Sequence, residues 1–475
     1  MNRRLPVLVV IVGVLVVLGL VATDGPTGRS DDLGGAAAPL MPVADRAGAL
    51  SSTWYCAAGT AIEGGEANLI VVVANPQREV RRGTVTWYPG ADEPLVETIQ
   101  VGPQESLTLT ARDSLTAPVV SAVVEVEGGG VGVEHGVSGP RGADVGPCAS
   151  APSDRWHFAN GSTTRDARQA LFLFNPFPDD VIVDISFATE QLREEPVGLQ
   201  GLPLAPGTST VIDIGAFVRR RAVTATSVVA RSGRLVVDRV QTFDGSEGRN
   251  GLSLALGAPA AAEVWHFPDG LHDEGLDQRW HIYNPGEDEA VVLLEVVPDE
   301  GNTPEPTERT IPPRSHVMVD AAELAPVPAG VAHSSTVRSI NRVGVVAERE
   351  VEARSPAPRR GWTSSLGSRV EAERWLLPFG QASSTIDEYL VVSNPTAEEV
   401  TFSVVALAGG RVVEIEGLQG VTLGPAERTA VRLGDRIQRS PLPLVVEADG
   451  PVVVERDLYR VGGVGISIAI GIPLP

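Results

Sequence analysis

Lysine is absent from this 475-residue chain: all 38 basic residues are arginine, set against 60 acidic ones, for a formal net charge of -22. That balance excludes nucleic acid as a partner, because polyanion binding needs clustered cations that displace counterions. Histidine occurs seven times and cysteine twice. The one local cluster of metal-type ligands, His266 with His272-Asp273-Glu274, reads as solvated loop residues rather than a zinc site. No Gly-x-Ser-x-Gly elbow, phosphate-cradling glycine loop or His-Glu-x-x-His helix occurs. No catalytic residue, metal ligand or cofactor is therefore assigned, and the expectation is a protein that is not an enzyme. Helical periodicity is scarce too, leaving room for a turn or two near Phe217 to Arg221, Ala321 to Leu324 and Asp435 to Gln438.

What is present begins with an apolar run. Asn2-Arg3-Arg4 precedes an uncharged stretch from Leu5 to Thr23, which at about 1.5 Å per residue nearly crosses a hydrocarbon core of about 30 Å. Arginines before it and Asp24, Asp31 and Asp32 after it put the N-terminus in the cytoplasm and the bulk outside. A cleaved signal peptide, giving a secreted protein, is the alternative; Leu20-Val21-Ala22 is a poor small-x-small site. The reading is a transmembrane anchor over residues 1–23, then a flexible Gly/Ala/Pro/Asp-rich tether over 24–52.

Beyond it one pattern recurs four times. Trp54, Trp156, Trp265 and Trp375 each open an apolar stretch, and about twenty residues later an apolar strand runs into Asn75-Pro76, Asn175-Pro176, Asn284-Pro285 or Asn394-Pro395. An alternating strand follows, then a Pro-led strand from Pro103, Pro206, Pro313 or Pro425. A hairpin arm then ends in an acid and a base: Glu134-His135, Asp238-Arg239, Glu348-Arg349 and Glu455-Arg456. A closing strand with a Gly-x-[Ser/Thr] start runs from Gly251, Gly361 and Gly465, and is degenerate in the first copy.

Units of about 100 residues with seven to nine short strands predict an all-β protein of four tandem Ig-like β-sandwiches. Their bounds are 53–150, 151–260, 261–370 and 371–475. A propeller would need two dissimilar blades per repeat and fits less well. Short joints of constant length suggest beads in a row. Such a row would have a radius of gyration above about 30 Å, against about 22 Å for a compact globule.

These motifs, from Trp156-His157-Phe158-Ala159-Asn160-Gly161 through the Asn-Pro strand to the Val-Val-x-Glu-Arg arm, resemble β-repeats of secreted bacterial proteins. From about residue 50 onward the chain resembles an actinobacterial family of membrane-anchored or secreted proteins of unknown function. The resemblance implies no catalytic residues.

The repeated residues read as structure. Tryptophan fills a small sandwich core, Asn-Pro is turn chemistry, and neighbouring acid and base positions face opposite sides of a sheet, each pairing with a nearby loop. Cys56 and Cys148, both in the first unit, are expected to form a disulfide in an oxidising compartment. Trp87, Trp280 and Trp362 stand outside the repeat pattern and are the candidate ligand-facing aromatics. Two functions follow: a membrane-tethered scaffold or interaction module for an envelope protein, or a carbohydrate-binding array whose exposed aromatics stack on envelope glycans.

Overall fold

Asn-Pro is the point from which each unit can be built. Asn75, Asn175, Asn284 and Asn394 are buried, and each side-chain oxygen accepts the N–H two residues on, at 3.0 Å in every copy. The amide donates to the carbonyl four residues on (Glu79, Asp179, Asp288 and Glu398) at 2.6–2.9 Å. It also donates to the carbonyl just before the Pro-led segment, as from Asn175 to Leu204 and Ala205 at 3.1 Å. One side chain thus closes an Asx turn and fixes where the chain returns. The four copies share a geometry because they share that residue.

The computed structural model describes residues 42–324 and 327–475. The expected anchor, Leu5 to Thr23, and most of the tether lie outside the described residues. Among those described, no helix is long and apolar enough to cross a membrane. The regular structure is antiparallel strand, with short helical turns at Ala111–Ser114, Val197–Leu199, Ile214–Ala216, Ala321–Glu323 and Leu433–Asp435. Ala321–Glu323 falls in its expected place, whereas Ile214–Ala216 and Leu433–Asp435 sit two or three residues early. Ile214–Ala216 and Ala321–Glu323 start where Asp213 and Asp320 accept the N–H of Gly215 and Ala322, which caps the turn at the strand end.

The first unit sets the plan. One sheet has the order Ser51–Cys56, Ser121–Glu127, Arg81–Tyr88, Leu95–Val101; the other has Glu105–Thr110, Asn68–Asn75, Gly132–Gly139, Gly142–Pro147. The order recurs in the second and third units. In the fourth a single strand, Leu444–Arg460, pairs in both sheets and joins them. All four repeat tryptophans are buried between their sheets, and Trp156, Trp265 and Trp375 donate their indole N–H to Leu235, Val345 and Val452 carbonyls.

The row of beads is overturned. The described residues from 42 onward form one compact unit, and the four closing strands are its axis. Gly142–Pro147 packs on Asn250–Leu256, that on Gly361–Leu366, that on Ile466–Ile470, and the last on the first. A short joint makes consecutive units neighbours but does not set the direction of the next step. Here every joint turns the same way and the fourth unit meets the first. Sheets of different units also share cores: Ala57, Ala58 and Val123 pack with Phe172 and Phe174, and Val131 and Val133 with Leu376 and Ile472.

The axis explains the Gly-x-[Ser/Thr] signature. A Cβ on Gly251 would lie 2.6 Å from the Trp362 nitrogen, and one on Gly361 3.0 Å from the Ile466 nitrogen. Backbone therefore packs on backbone there. The tether also ends earlier than expected. Val43 donates to Ser150 Oγ, Ala44 to the Pro473 carbonyl and Gly130 to Asp45, so residues from Val43 onward brace the seam between the fourth and first units.

Candidate functional site

The acid–base pairs meet at the four joints, where they form a closed circuit. His135 Nε2 lies 3.0 Å from Asp238, Arg239 Nη2 2.7 Å from Glu348, Arg349 Nη2 2.6 Å from Glu455, and Arg456 Nη1 2.9 Å from Glu134. All eight side chains are at most 1% exposed. Within each pair the acid points to the preceding unit and the base to the following one, as adjacent strand positions must. Buried ions persist only when their remaining hydrogen bonds are also made. Asp238 accepts the N–H of Ala57 and Ala58 at 2.9 and 2.8 Å. Glu348 accepts those of Ala159 and Asn160 at 2.7 and 3.2 Å, and Glu134 that of Phe379 at 2.7 Å.

Two joints depart from this scheme for identifiable reasons. In the first unit the base is His135, whose Nδ1 lies 3.3 Å from Cys148 Sγ. The Cys56–Cys148 disulfide stands where Phe158 lies under Arg239 in the second unit. At the third joint the loop reads Pro268-Asp269 where the second unit has Ala159-Asn160. Proline has no N–H to give Glu455, and Asp269 puts a carboxylate where Asn160 donates its amide to Glu350 at 2.9 Å.

Asp457, two residues after Glu455, therefore faces an acid. Asp269, Glu455 and Asp457 bring carboxylate oxygens within 4.8 Å of one another beside a hollow of about 170 Å³ lined by Arg349, Arg359, Arg428 and Tyr459. Arg349 holds Glu455, and Arg428 holds Asp269 at 2.7 Å. Asp457 and Asp269 lie side chain to side chain, within hydrogen-bond reach of one another. Burial first, then Glu455 and Asp269, push the Asp457 carboxyl well above the usual range. Arg349 and Arg428 each pair with one of the three acids, and Asp457, its carboxyl raised by burial, is the one that takes up a proton most readily.

On the axis, two residues after each first glycine, stand Asp144, Ser253, Thr363 and Ser467, all buried. Asp144 accepts the N–H of Val145 and Leu254 at 2.8 and 2.7 Å, and burial, partly offset by those bonds, pushes its carboxyl up to about 6. Beyond it the axial strands enclose an apolar hollow of about 90 Å³ lined by Leu254, Leu366, Ile468, Trp265 and Trp375.

The disulfide expected from Cys56 and Cys148 forms. The ligand-facing tryptophans are a correction: Trp87, Trp280 and Trp362 are at most 1% exposed. Trp87 bonds to Glu97, Trp280 to Ser335, and Trp362 packs edge-on against Phe243 of the neighbouring unit. They finish cores and joints, so no glycan can stack on them. His266 and His272-Asp273-Glu274 do not converge on a metal: His266 pairs with Glu371 at 3.0 Å and His272 with the Val327 carbonyl. The joint circuit is the feature that sequence reading left unassembled. Its signal was the constant order acid then base.

Residues 128–359 match the model of a family of unknown function (DUF5719), which spans parts of the first three units. No curated protein matches. Among solved structures, a tetra-tandem repeat from the extending region of a large adhesion protein covers 90% of this chain and 100% of its own at 13% identity, with a TM-score of 0.11. A calcium-binding mutant of Bacteroides uniformis beta-glucuronidase 2 covers 53% of this chain at 10% identity and a TM-score of 0.11. The chain spans 28% of that protein's length. At such scores neither likeness carries an argument, and the chain is similar, over those matched residues, to a family whose function is unknown.

Proposed function

We propose that this protein is a non-enzymatic interaction module of the cell envelope, held at the membrane by residues 1–23 and built from four β-sandwich repeats at 53–150, 151–260, 261–370 and 371–475. The observation that carries it is the closed circuit of four buried acid–base contacts, three of them arginine–carboxylate pairs. It fixes four sandwiches as one body, so surfaces from neighbouring units stay in register to receive a partner. A rigid ring does not serve as an extended spacer; it favours a site made between units. The disulfide supports an extracytoplasmic place for the ring. A glycan remains a partner class, with recognition through polar joint surfaces instead of the buried tryptophans.

Photo-cross-linkers placed at exposed residues beside the joints, compared with linkers on the outer strand Leu95–Val101, test this in intact cells. Specific adducts at the joints support the reading. Turnover of an envelope substrate by the purified protein, or protease protection from the outside of intact cells, would overturn it.

A further inference from the structure

Two sandwiches carry the same cross-strand pair with different surroundings. His157 lies opposite Ser227 and His266 opposite Thr336, with Nδ1 at 2.8 and 3.1 Å from the hydroxyl. In the third sandwich the other ring nitrogen, Nε2 of His266, is held by Glu371 Oε1 at 3.0 Å. The equivalent position in the second sandwich follows from the backbone. His266 bridges to Ser368 and His157 to Ala258, so three residues on, Glu371 corresponds to Ala261.

Ala261 lines a hollow of about 470 Å³ between the second and third sandwiches. His157, Ser227 and Tyr283 form its polar floor, and Arg155, Arg193 and Arg314 line it as well. Tyr283 Oη lies 2.8 Å from Ser227 Oγ. When tyrosine donates to serine and serine to His157 Nδ1, the imidazole hydrogen is on Nε2, the nitrogen that meets a carboxylate in the third sandwich. Burial first, then Arg155, pull the His157 pKa down to about 4, so the ring is neutral and this tautomer is available. Among the described residues the arginines pair at the surface: Arg155 with Asp154, Arg193 with Glu195, and Arg314 with Glu287. Glu287 and Asp288 also line the hollow. Such exposed pairs are worth little, and the guanidinium groups can turn to a better-placed anion.

We propose that this hollow binds a ligand through a carboxylate, which occupies the place that Glu371 fills in the third sandwich. The protein thus supplies the carboxylate itself at one joint and leaves it to be supplied from outside at the other. The ligand is a small organic acid, free or as an acidic sugar of a polymer. The site stands independently of the scaffold role proposed above.

Isothermal titration of the full-length protein with propionate, galacturonate, galactose and inorganic phosphate tests the inference. Saturable one-to-one binding of a carboxylate, with none for galactose, is the expected result. Galacturonate binding more tightly than propionate identifies an acidic sugar, and equal binding a small free acid. Ala261→Glu should abolish binding by filling the place internally. The surface variant Arg193→Gln/Arg314→Gln, which leaves the core untouched, should weaken it about tenfold or more. No saturable carboxylate binding, binding of phosphate alone, or unchanged affinity in the arginine double variant would each overturn it.

Discussion

Replacing Arg456 by methionine tests whether the circuit closes the ring. Arg456 makes bonds of 2.9 and 3.1 Å to Glu134 and one of 2.6 Å to the Phe379 carbonyl, with both ions inaccessible to water. Removing one partner leaves Glu134 buried with only the Phe379 N–H, a loss of about 3–5 kcal/mol. The joint carries a second burden. Its partners are 322 residues apart, against 106 for Arg349 and Glu455, so chain closure costs about 1 kcal/mol more. Arg239→Met breaks an equivalent pair between consecutive units and should destabilise as much without opening the ring. Urea unfolding measures the stabilities, and small-angle scattering on residues 40–475 reads the shape. The native ring should give about 22 Å, Arg239→Met the same, and Arg456→Met a larger value. Adding Glu134→Gln to Arg456→Met should recover part of the lost stability by removing the stranded charge. A single-variant loss below about 1 kcal/mol, or equal scattering for both variants, would refute the reasoning.

Glu388 sits where the second and third units carry Gln169 and Gln278, and it accepts the Gln381 N–H at 2.7 Å as Gln278 accepts that of Leu271. Burial pushes its carboxyl from 4.5 to about 8. The folded state therefore holds the proton more tightly, and the stability this gives is complete below about 4.5 and lost as pH rises to about 8. Glu388→Gln should remove roughly 2–3 kcal/mol of that loss between pH 5 and 7, read as the difference between two unfolding titrations. Asp457→Asn supplies Asp269 with the amide that Asn160 gives Glu350. It should flatten the remaining decline on the alkaline side, and a steeper decline would count against the shared proton. Cys56→Ser opens a link of 92 residues and should cost about 4–5 kcal/mol in the chain-entropy model, measured by thermal unfolding with and without reductant.

The strands and their turns were legible because each rests on a local cause. Asn175 binds its own turn, Trp156 fills its own sandwich, and Cys56 had one partner available. The circuit was half legible. That Glu348 and Arg349 face opposite ways follows from strand geometry, but the partner of each lies in another unit, and periodicity carries no information on which face meets which. The shape failed for the same reason, since joint length limits distance and leaves rotation free. Trp280 and Trp362 were misassigned because a tryptophan outside a repeat pattern can complete a core or a joint as readily as bind a ligand. The hollow at Ala261 needed the register of His157 against Ala258, a backbone pairing that no residue announces.

Because each base reaches the acid of the following unit, every joint is a head-to-tail contact, the kind that in separate subunits generates a ring when the rotation closes. The covalent order of the four units is then incidental to the assembled body. Ala44 already donates to the Pro473 carbonyl at 3.0 Å, so a chain with those ends fused and new ends cut between the second and third units keeps every joint partner. The same logic lets two separately expressed halves, 40–260 and 261–475, find each other through two complementary seams. A protein built this way can be opened at any seam and still specify where it closes.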